Sequence, residues 1–358
     1  MPDEKNTDPL LRALRLVAPG TVLYEGLENV LRARTGALIV IGDSPEVLEL
    51  VDGGFRIDAD LTPQALYELA KMDGAIVLSS DAKKILFANT QLQPDPMIPT
   101  DETGTRHRTA ERVARQTGQL VISISQRRNV ITLYQGNWKY LLPETSLLLT
   151  KANQALQTLE KFRIALDQSL TNLNALEFEN LASLGDVLTV ISRAGMVAKI
   201  VREIDRYIAQ LGTEGHLIQL QKEETLGDVL MEARLVIRDY CIIEGDRTPE
   251  QVQQQVDALS AEELVDLLKL ARLLGYTAAN VDLDRPLTPR GYRLLSKIPR
   301  LPMPVIDNLV RKFVQLPQTL SASVEQLDEV DGIGEVRAKA IKDGLRRLHE
   351  QAMLERHL

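Results

Sequence analysis

The chain has 358 residues, of which 44% are hydrophobic and 26% charged, a composition typical of a globular protein with room for two or three domains. Aromatic residues make up only 4%, which favours helix over an all-β fold. The single cysteine, Cys241, excludes an intrachain disulfide framework and a cysteine-rich zinc site, and its apolar neighbours Ile242 and Ile243 predict a buried thiol. No N-terminal apolar stretch approaches the length of a signal-peptide core and none approaches the ~20 residues of a membrane span, so we expect a soluble, cytoplasmic protein.

The net charge of −8 argues against a nucleic-acid-binding protein, but the charges are unevenly distributed. Residues 106–128 contain six arginines and one acidic residue, and residues 285–347 contain twelve Lys or Arg and seven acidic residues. Each segment has a net charge of +5, so the rest of the chain is strongly acidic. This pattern predicts two anion-binding surfaces on an acidic body, because the local field governs the approach of a charged ligand.

Residues 1–144 alternate between helical and strand patterns, which predicts an α/β domain with a mixed sheet. Pro19-Gly20 separates the first two helices, and glycines bound the first apolar run at positions 36 and 42. Thr62-Pro63 is a typical helix start. The predicted helices cover residues 10–17, 22–34, 63–71 and 105–116, and the predicted strands cover residues 36–42, 75–79, 84–89, 120–125, 130–133 and 139–142.

The most informative motif of this domain is Gly104-Thr105 followed by Arg106-His107-Arg108 at a helix start. Free N–H groups at a helix N-terminus and the positive end of the helix dipole attract phosphate, and arginine adds a planar, permanently charged donor. About thirty residues earlier, Asp73 offers a hard oxygen ligand for the divalent cation that accompanies a nucleoside triphosphate. Together these residues predict phosphoryl or nucleotidyl transfer.

Residues 145–287 form a predicted all-helical domain that begins with a long helix, whose narrow apolar seam suggests a rigid spine. The seam is more often part of a core than a partner site. Further helices are predicted at 184–211, 225–242, 249–259 and 261–274. The seam consists of Leu148, Ala152, Ala155, Leu159, Phe162, Leu166, Leu170 and Leu173.

Residues 288–358 contain the turn Gly332-Ile333-Gly334 between a short helix at 324–327 and a helix that starts at Glu335. This pattern is typical of a helix-hairpin-helix motif, in which glycines let the backbone approach a DNA phosphate and nearby cations such as Arg337 and Lys339 add charge. It is also compatible with a tight turn that only joins two helices. Residues 298–304 resemble a degenerate first copy, where prolines replace the glycines.

Three segments carry a family resemblance: Asp73-Gly74-Ala75, the run from Gly104 to Arg108, and Ser123-Ile124-Ser125. They resemble the diadenylate cyclase domain of bacterial DNA integrity scanning proteins, and the order of the three domains matches that family along the whole chain. Two separate motifs in the right order make the resemblance specific.

The resemblance implies an enzyme that condenses two ATP molecules into cyclic di-AMP and two pyrophosphates, with Mg²⁺ or Mn²⁺ held by Asp73. It implies that Arg106, His107 and Arg108 act on the triphosphate. It also implies a homo-octamer, a role in DNA damage and repair, and sequence-nonspecific binding of branched DNA that lowers cyclase activity, through Gly332, Gly334, Arg337 and Lys339. The nucleotide contacts it implies are Gly74, Ala75, Leu92, Gly104, Thr105, Ser125 and Arg128.

Each of these residues also has a simpler interpretation. Asp73 and Ser125 are common turn residues, His107 suits an exposed helix face, and Thr105 and Thr109 suit helix capping. Next to two arginines, however, His107 should have a lowered pKa, which favours a neutral hydrogen-bonding role. Arg112 and Arg115 fit either the site or ordinary surface charge.

Two other classes of function stay open. One is a DNA-junction scaffold that binds ATP without chemistry. The other, a P-loop or protein-kinase enzyme, is disfavoured because neither the G-x-x-x-x-G-K-[ST] nor the H-R-D pattern occurs.

Overall fold

The structure is a computed structural model that describes residues 9–243, 245, 247–276 and 281–355. The chain divides into two compact units. The first comprises residues up to 153 together with 205–219, and the second comprises 154–204 and 220–358. Two long helices, α6 and α7, contribute residues to both units.

The first unit contains the predicted α/β domain. Its helices are α1 (Pro9–Leu16), α2 (Val22–Arg32), α3 (Pro45–Leu48), α4 (Pro63–Leu69) and α5 (Thr105–Thr117), followed by the start of α6 (Thr145–Glu179). Its strands are β1 (Ala37–Ile41), β2 (Val51–Asp52), β3 (Phe55–Asp60), β4 (Ala75–Leu78), β5 (Lys84–Leu92), β6 (Leu120–Ser125), β7 (Val130–Gln135) and β8 (Trp138–Leu142).

The eight strands form one mixed sheet in the order β2-β5-β4-β1-β6-β7-β8, with β3 also paired to β5. β1 and β4 are parallel, and the other pairs are antiparallel. The starts of β1 and β4 and the ends of β5 and β6 therefore lie at the same edge of the sheet, which is where the loops with the predicted site residues begin.

Both faces of the sheet are buried at its central strand β1, which explains the continuous apolar sequence of that strand. Ile39 and Ile41 pack with α1, α2 and α4 on one face, and Leu38 and Val40 pack with α3 and α5 on the other. The sheet is thus the middle layer of an α/β/α sandwich, as the alternating sequence pattern predicts.

The second unit is helical among its described residues. It contains the rest of α6 and most of α7 (Leu184–Leu211), and then α8 (His216–Leu226), of which only the later residues belong to this unit. The other helices are α9 (Val229–Tyr240), α10 (Pro249–Ala258), α11 (Ala261–Val265), α12 (Leu267–Leu273), α13 (Tyr292–Ser296), α14 (Met303–Phe313), α15 (Leu316–Ser321), α16 (Val324–Asp328) and α17 (Glu335–Glu355). No helix in the described part of the chain is long and apolar enough to cross a membrane.

Two predicted helices are interrupted. The segment predicted at 225–242 is broken at Gly227, whose φ of +47° ends α8 before α9 begins. The segment predicted at 261–274 is broken at Asp266, whose carboxylate accepts a hydrogen bond from the Lys269 N–H and caps α12. Cys241 is buried as predicted, and burial raises the pKa of its thiol.

Candidate active site

A cleft of about 630 Å³ opens at the sheet edge where β1 and β4 start and β5 and β6 end, a volume that suits a small-molecule ligand. The start of α5 forms one wall. Of the predicted site residues, the cleft is lined by Gly74, Ala75, Leu92, Gly104, Thr105, Arg106, His107 and Ser125. It is also lined by Thr109, for which the sequence leaves a site role open, and by residues that the sequence does not indicate, namely Leu38, Thr90, Gln91, Thr103, Gln126 and Arg127.

The N-terminus of α5 faces this cleft without a side-chain cap. Gly104 is the N-cap residue and has no side chain to donate or accept a hydrogen bond, and no acidic residue lies in the first turn. The N–H groups of Thr105, Arg106 and His107 therefore have no intrahelical acceptor. They provide donors and the positive end of the helix dipole to an anionic ligand.

Gly74, another lining residue of the cleft, brings the start of β4 close to β5. Its φ is +94°, and an added Cβ would lie 2.7 Å from the Thr90 carbonyl oxygen. Only glycine fits this position, because both the backbone conformation and the close backbone contact exclude a side chain. The Thr90 hydroxyl donates a hydrogen bond to the Ala75 carbonyl at 3.1 Å and fixes the two strands together.

Arg106 lines the cleft and packs against Gly36, which the sequence indicates only as the boundary of the first apolar run. Its guanidinium lies against Gly36, and an added Cβ there would collide with it and lie 3.2 Å from the Ile124 carbonyl oxygen. Gly36 therefore leaves space for Arg106 between the start of β1 and the end of β6.

Replacing Gly36 with alanine should displace the Arg106 guanidinium and lower kcat/KM of the cleft's reaction about tenfold, the cost of one weakened charged contact. The fold should tolerate the change, because Gly36 does not have a positive φ. Steady-state kinetics and thermal unfolding measure the two effects. In an Arg106→Met background the same substitution should have no further effect on kcat/KM, and an additive loss would contradict this interpretation.

His107 lies half-buried at the same wall. Burial is the main cause that lowers the pKa of its imidazole, Glu102 opposes this, and Arg128, Lys139 and Arg106 lower it further. The predicted direction was correct, but the predicted cause, like charge from neighbouring arginines, is secondary to desolvation. His107 is therefore neutral near pH 7 and can both donate and accept hydrogen bonds.

Arg112 and Arg115 face away from the cleft and hold the loop before α5. Arg112 Nε donates to the Ile98 carbonyl at 3.0 Å, and Arg115 donates to the Pro99 carbonyl at 2.7 Å and to the Glu111 carboxylate at 2.6 Å. These two arginines are structural clamps of the loop, and they explain part of the positive charge counted in residues 106–128.

Asp73, Arg108 and Arg128 do not line the cleft. Asp73 is exposed next to the lining residue Gly74, and among the described residues none donates a hydrogen bond to its carboxylate. Arg108 is exposed one turn into α5. Arg128 donates its backbone N–H to the Ser125 hydroxyl at 3.2 Å, which closes the turn after β6.

The donor set fits a cation held partly by substrate. The described residues contain no group of three or more His, Cys, Asp or Glu side chains that could hold a metal ion. Mg²⁺ commonly takes one or two carboxylates and completes its shell with water and substrate phosphates, so the exposed Asp73 carboxylate beside the cleft is compatible with that cation.

A second candidate site lies in the second unit, where α16 and α17 flank the predicted glycine turn. Gly332 has a φ of +82°, whereas an added Cβ on Gly334 would meet no atom within 4 Å. The Arg337 guanidinium donates to the Gly332 carbonyl, and Lys339 pairs with Glu335 at 2.6 Å, with both of those side chains more than half exposed. Gly334 and the start of α17 thus present open backbone to solvent.

The first, degenerate hairpin has the same backbone arrangement 32 residues earlier, between α13 and α14. Arg300, with a φ of +62°, occupies the position of Gly332, and Pro302 occupies that of Gly334. The backbone hydrogen bonds also correspond: the Ile298 N–H donates to the Leu295 carbonyl, just as the Val330 N–H donates to the Leu327 carbonyl. Since Pro302 has no N–H, the first hairpin has fewer free backbone donors than the second.

The net charge of +5 in residues 285–347 overestimates the positive charge that is available at this surface. Arg293 is fully buried, and Arg290 donates to the carbonyls of Arg238, Asp239 and Cys241. These two cations stabilise the interior of the second unit, so the positive field around the hairpins is weaker than the net charge of +5 predicts.

The first unit is an α/β sandwich, and its cleft offers an uncapped helix N-terminus, an arginine and a neutral histidine. This combination is typical of a nucleotide-binding enzyme domain. Two family models match this chain: the nucleotide-binding domain of the DisA bacterial checkpoint controller at residues 24–138, and the linker region of the same controller at residues 142–283. The chain belongs to the DisA family, and it is a diadenylate cyclase.

Curated relatives match almost the whole chain. The DNA integrity scanning protein DisA of Symbiobacterium thermophilum is 58% identical over 97% of this chain and 98% of its own length. That of Carboxydothermus hydrogenoformans is 56% identical over 98% of this chain and 99% of its own length. A solved structure of DacA from Staphylococcus aureus matches with a TM-score of 0.30 and 19% identity, over 38% of this chain and 91% of that one.

Proposed function

We propose that the cleft converts two ATP molecules into cyclic di-AMP and two pyrophosphates. The observation that carries the proposal is the uncapped start of α5, which lines the same cleft as Arg106, His107, Gly74 and Ala75. In the reaction, the 3′-hydroxyl of each ATP attacks the α-phosphorus of the other, and pyrophosphate leaves from each.

The residues of the cleft act by positioning and electrostatics. The free N–H groups of α5 and the Arg106 guanidinium bind the triphosphate, and Arg108, which lies outside the cleft lining, adds positive charge that stabilises the leaving pyrophosphate. His107 donates a hydrogen bond to a phosphate oxygen without adding positive charge. Thr105 and Ser125 complete the phosphate contacts in the cleft, Arg128 adds positive charge from outside the cleft lining, and Leu92 packs against adenine.

A divalent cation, Mg²⁺ or Mn²⁺, would be held by the Asp73 carboxylate together with phosphate oxygens, and it would polarise the α-phosphate. One cleft holds one ATP, so the symmetric reaction needs two clefts that face one another. A closed two-fold pair is the smallest arrangement with this property, and the homo-octamer that the family resemblance implies contains such pairs. A cytoplasmic location stays a prediction.

The test is to incubate the purified protein with ATP and either Mn²⁺ or Mg²⁺ and to identify the products by mass spectrometry. Cyclic di-AMP and pyrophosphate in a 1:2 ratio support the proposal. Unchanged ATP would favour the DNA-junction scaffold that binds ATP without chemistry, and ADP or AMP as the product would indicate a hydrolase.

The second hairpin is proposed to bind the backbone of branched DNA without reading its sequence, and this binding is proposed to lower cyclase activity. Gly334 lets the N–H groups at the start of α17 approach a phosphate, and Lys339 adds charge once phosphate competes with Glu335. Arg337 holds the hairpin through the Gly332 carbonyl, and Gly332 supplies the left-handed turn.

Replacing Gly334 with alanine should weaken binding of a four-way DNA junction about tenfold, the value of one charge-assisted hydrogen bond, because the methyl group blocks the phosphate. The fold should be unaffected, since the new Cβ meets open space and the backbone is not left-handed. Fluorescence anisotropy with a labelled junction measures the affinity.

Lys339→Glu should weaken binding equally for junctions of different sequence and reduce the salt-dependence slope by about one unit. Lys83→Glu is the matched control, because Lys83 is an exposed lysine in the first unit whose side chain is 80% accessible. If Gly334→Ala and Lys339→Glu both kept wild-type affinity for the junction, and the junction still inhibited their cyclase activity fully, DNA would have to bind elsewhere.

A further inference from the structure

A buried carboxylate lies at the edge of the anion-binding cleft. The Glu102 side chain is only 9% exposed, and it immediately precedes Thr103 and Gly104, which line the cleft. A negative charge beside a triphosphate site opposes binding of the substrate, and burial of a carboxylate costs free energy unless it is paired. Glu102 therefore needs a function that offsets both costs.

The Glu102 carboxylate connects the loop before α5 to the last two strands of the sheet. It accepts a hydrogen bond from the Tyr134 hydroxyl on β7 at 2.8 Å and forms an ion pair with Lys139 on β8. Tyr134 is itself buried, so the hydrogen bond is shielded from water. These contacts fix the loop to a rigid part of the fold.

The backbone of Glu102 is also fixed, by a hydrogen bond that connects it to α5 through Thr100. Its N–H donates to the Thr100 hydroxyl at 3.1 Å, and that hydroxyl donates to the Glu111 carboxylate on α5 at 2.5 Å. Glu102 is thus held both to the sheet and to α5, two residues before the N-cap Gly104.

The pKa of the Glu102 carboxyl agrees with its role as a charged anchor for Tyr134 and Lys139. Burial raises the pKa of Glu102, but the hydrogen bonds from Lys139 and Tyr134 outweigh burial and leave the pKa lowered. The carboxylate is therefore ionised at neutral pH and keeps Lys139 paired. Its charge also acts on His107, where it offsets part of the effect of burial.

We propose that Glu102 is a positioning residue of the cyclase site: anchored on Tyr134 and Lys139, it holds the turn Thr103-Gly104-Thr105 so that the start of α5 faces the triphosphate. The inference rests on the proposed function. Glu102 does not line the cleft, so it acts through the backbone that it holds and not through contact with ATP.

The proposal predicts a graded series of variants in the full-length protein. Glu102→Ala should lower kcat/KM for ATP about 100-fold, because a shift of about 1 Å in a positioning element has an effect of that size. Glu102→Gln should retain at least a tenth of the wild-type value, since its amide oxygen can still accept the Tyr134 hydrogen bond. Tyr134→Phe, which keeps the shape of the core, should lower it less than tenfold.

A double-mutant cycle separates positioning from general destabilisation. If Glu102 acts through Tyr134, adding Tyr134→Phe to Glu102→Ala should cause no further loss of kcat/KM, while the unfolding temperatures of the two proteins still differ. Fully additive losses, or wild-type kcat/KM in Glu102→Ala, would overturn the proposal. Equal inactivity of Glu102→Gln and Glu102→Ala would also overturn it, because charge and not position would then be required.

Binding of the non-reactive analogue α,β-methylene-ATP, measured by calorimetry, keeps this proposal separate from the cyclase reaction. Glu102→Ala should bind the analogue about tenfold more weakly than wild type even if the wild-type protein makes no cyclic di-AMP. Unchanged analogue affinity in Glu102→Ala would refute the positioning role, whereas absence of cyclic product from wild type would refute only the proposed reaction.

Discussion

Replacing Arg293 with methionine should lower the free energy of unfolding of the second unit by about 3–5 kcal/mol, the usual cost of removing one partner from a buried ion pair. Arg293 is fully buried on α13, and it donates to Glu177 on α6 at 2.6 Å and to Glu232 on α9 at 2.8 Å. It also donates to the Asn174 side chain at 2.5 Å. Three helices that are distant in sequence therefore meet at one cation.

The loss arises mainly from the charge that is left behind. Glu177 is 1% exposed, and burial already raises the pKa of its carboxyl while Arg293 and the Tyr240 hydroxyl favour the ionised form. Without Arg293, the folded state must keep Glu177 protonated well above its unfolded pKa near 4.5. The destabilisation should therefore be smallest below that pH and should grow as the pH rises above it.

Urea denaturation followed by circular dichroism at pH 5 and pH 8 measures both effects. Arg311→Met is the matched control, because Arg311 is an exposed arginine on α14 and its loss should change the stability by less than about 0.5 kcal/mol. Adding Glu177→Gln to Arg293→Met should recover part of the stability at pH 8, because a neutral amide removes the free-energy cost of protonating the buried Glu177 carboxylate. Wild-type stability of Arg293→Met at pH 8 would show that the buried pair contributes nothing net.

The sequence predicted elements whose signals are local. The apolar run of β1 is bounded by glycines, Thr62 caps α4 through the Ala65 N–H, and the strand predicted at 120–125 has the observed bounds of β6. Each of these signals lies within a few residues of the element it defines.

The elements and residues that were missed depend on distant contacts. β2 and β3 form the edge of the sheet beside β5, and all six residues of β3 are exposed, so no buried face gave them a hydrophobic pattern. Gly36, Glu102 and Arg293 gain their roles from partners 32 to 119 positions away in the chain. No short motif reports such contacts, which is why the site's supporting residues were invisible in the sequence.

Replacing Asp73 with asparagine should reduce the rate of cyclic di-AMP formation by a factor of about 10² to 10³ while leaving the fold intact. Asparagine has the shape of aspartate but lacks its negative charge, and a hard divalent cation prefers carboxylate oxygen. Stabilisation of transition-state charge by a correctly held cation contributes several kcal/mol, which corresponds to this range of rates. Within the described chain the Asp73 carboxylate accepts no hydrogen bond, so no structural contact is lost.

Mass spectrometry of the products across a titration of Mn²⁺ or Mg²⁺ measures this effect, and raising the metal concentration should recover part of the lost rate if Asp73 holds the cation. Asp60→Asn is the matched control, because Asp60 is an exposed aspartate of β3 that lies beside Lys84 in the strand register, at the opposite end of β5 from the cleft. A chelator should stop the wild-type reaction. Wild-type rates in Asp73→Asn at limiting metal would mean that the cation is held by substrate alone. The catalytic role of the segment before β4 would then be limited to Gly74, which lets the backbone of β4 approach that of β5 closely.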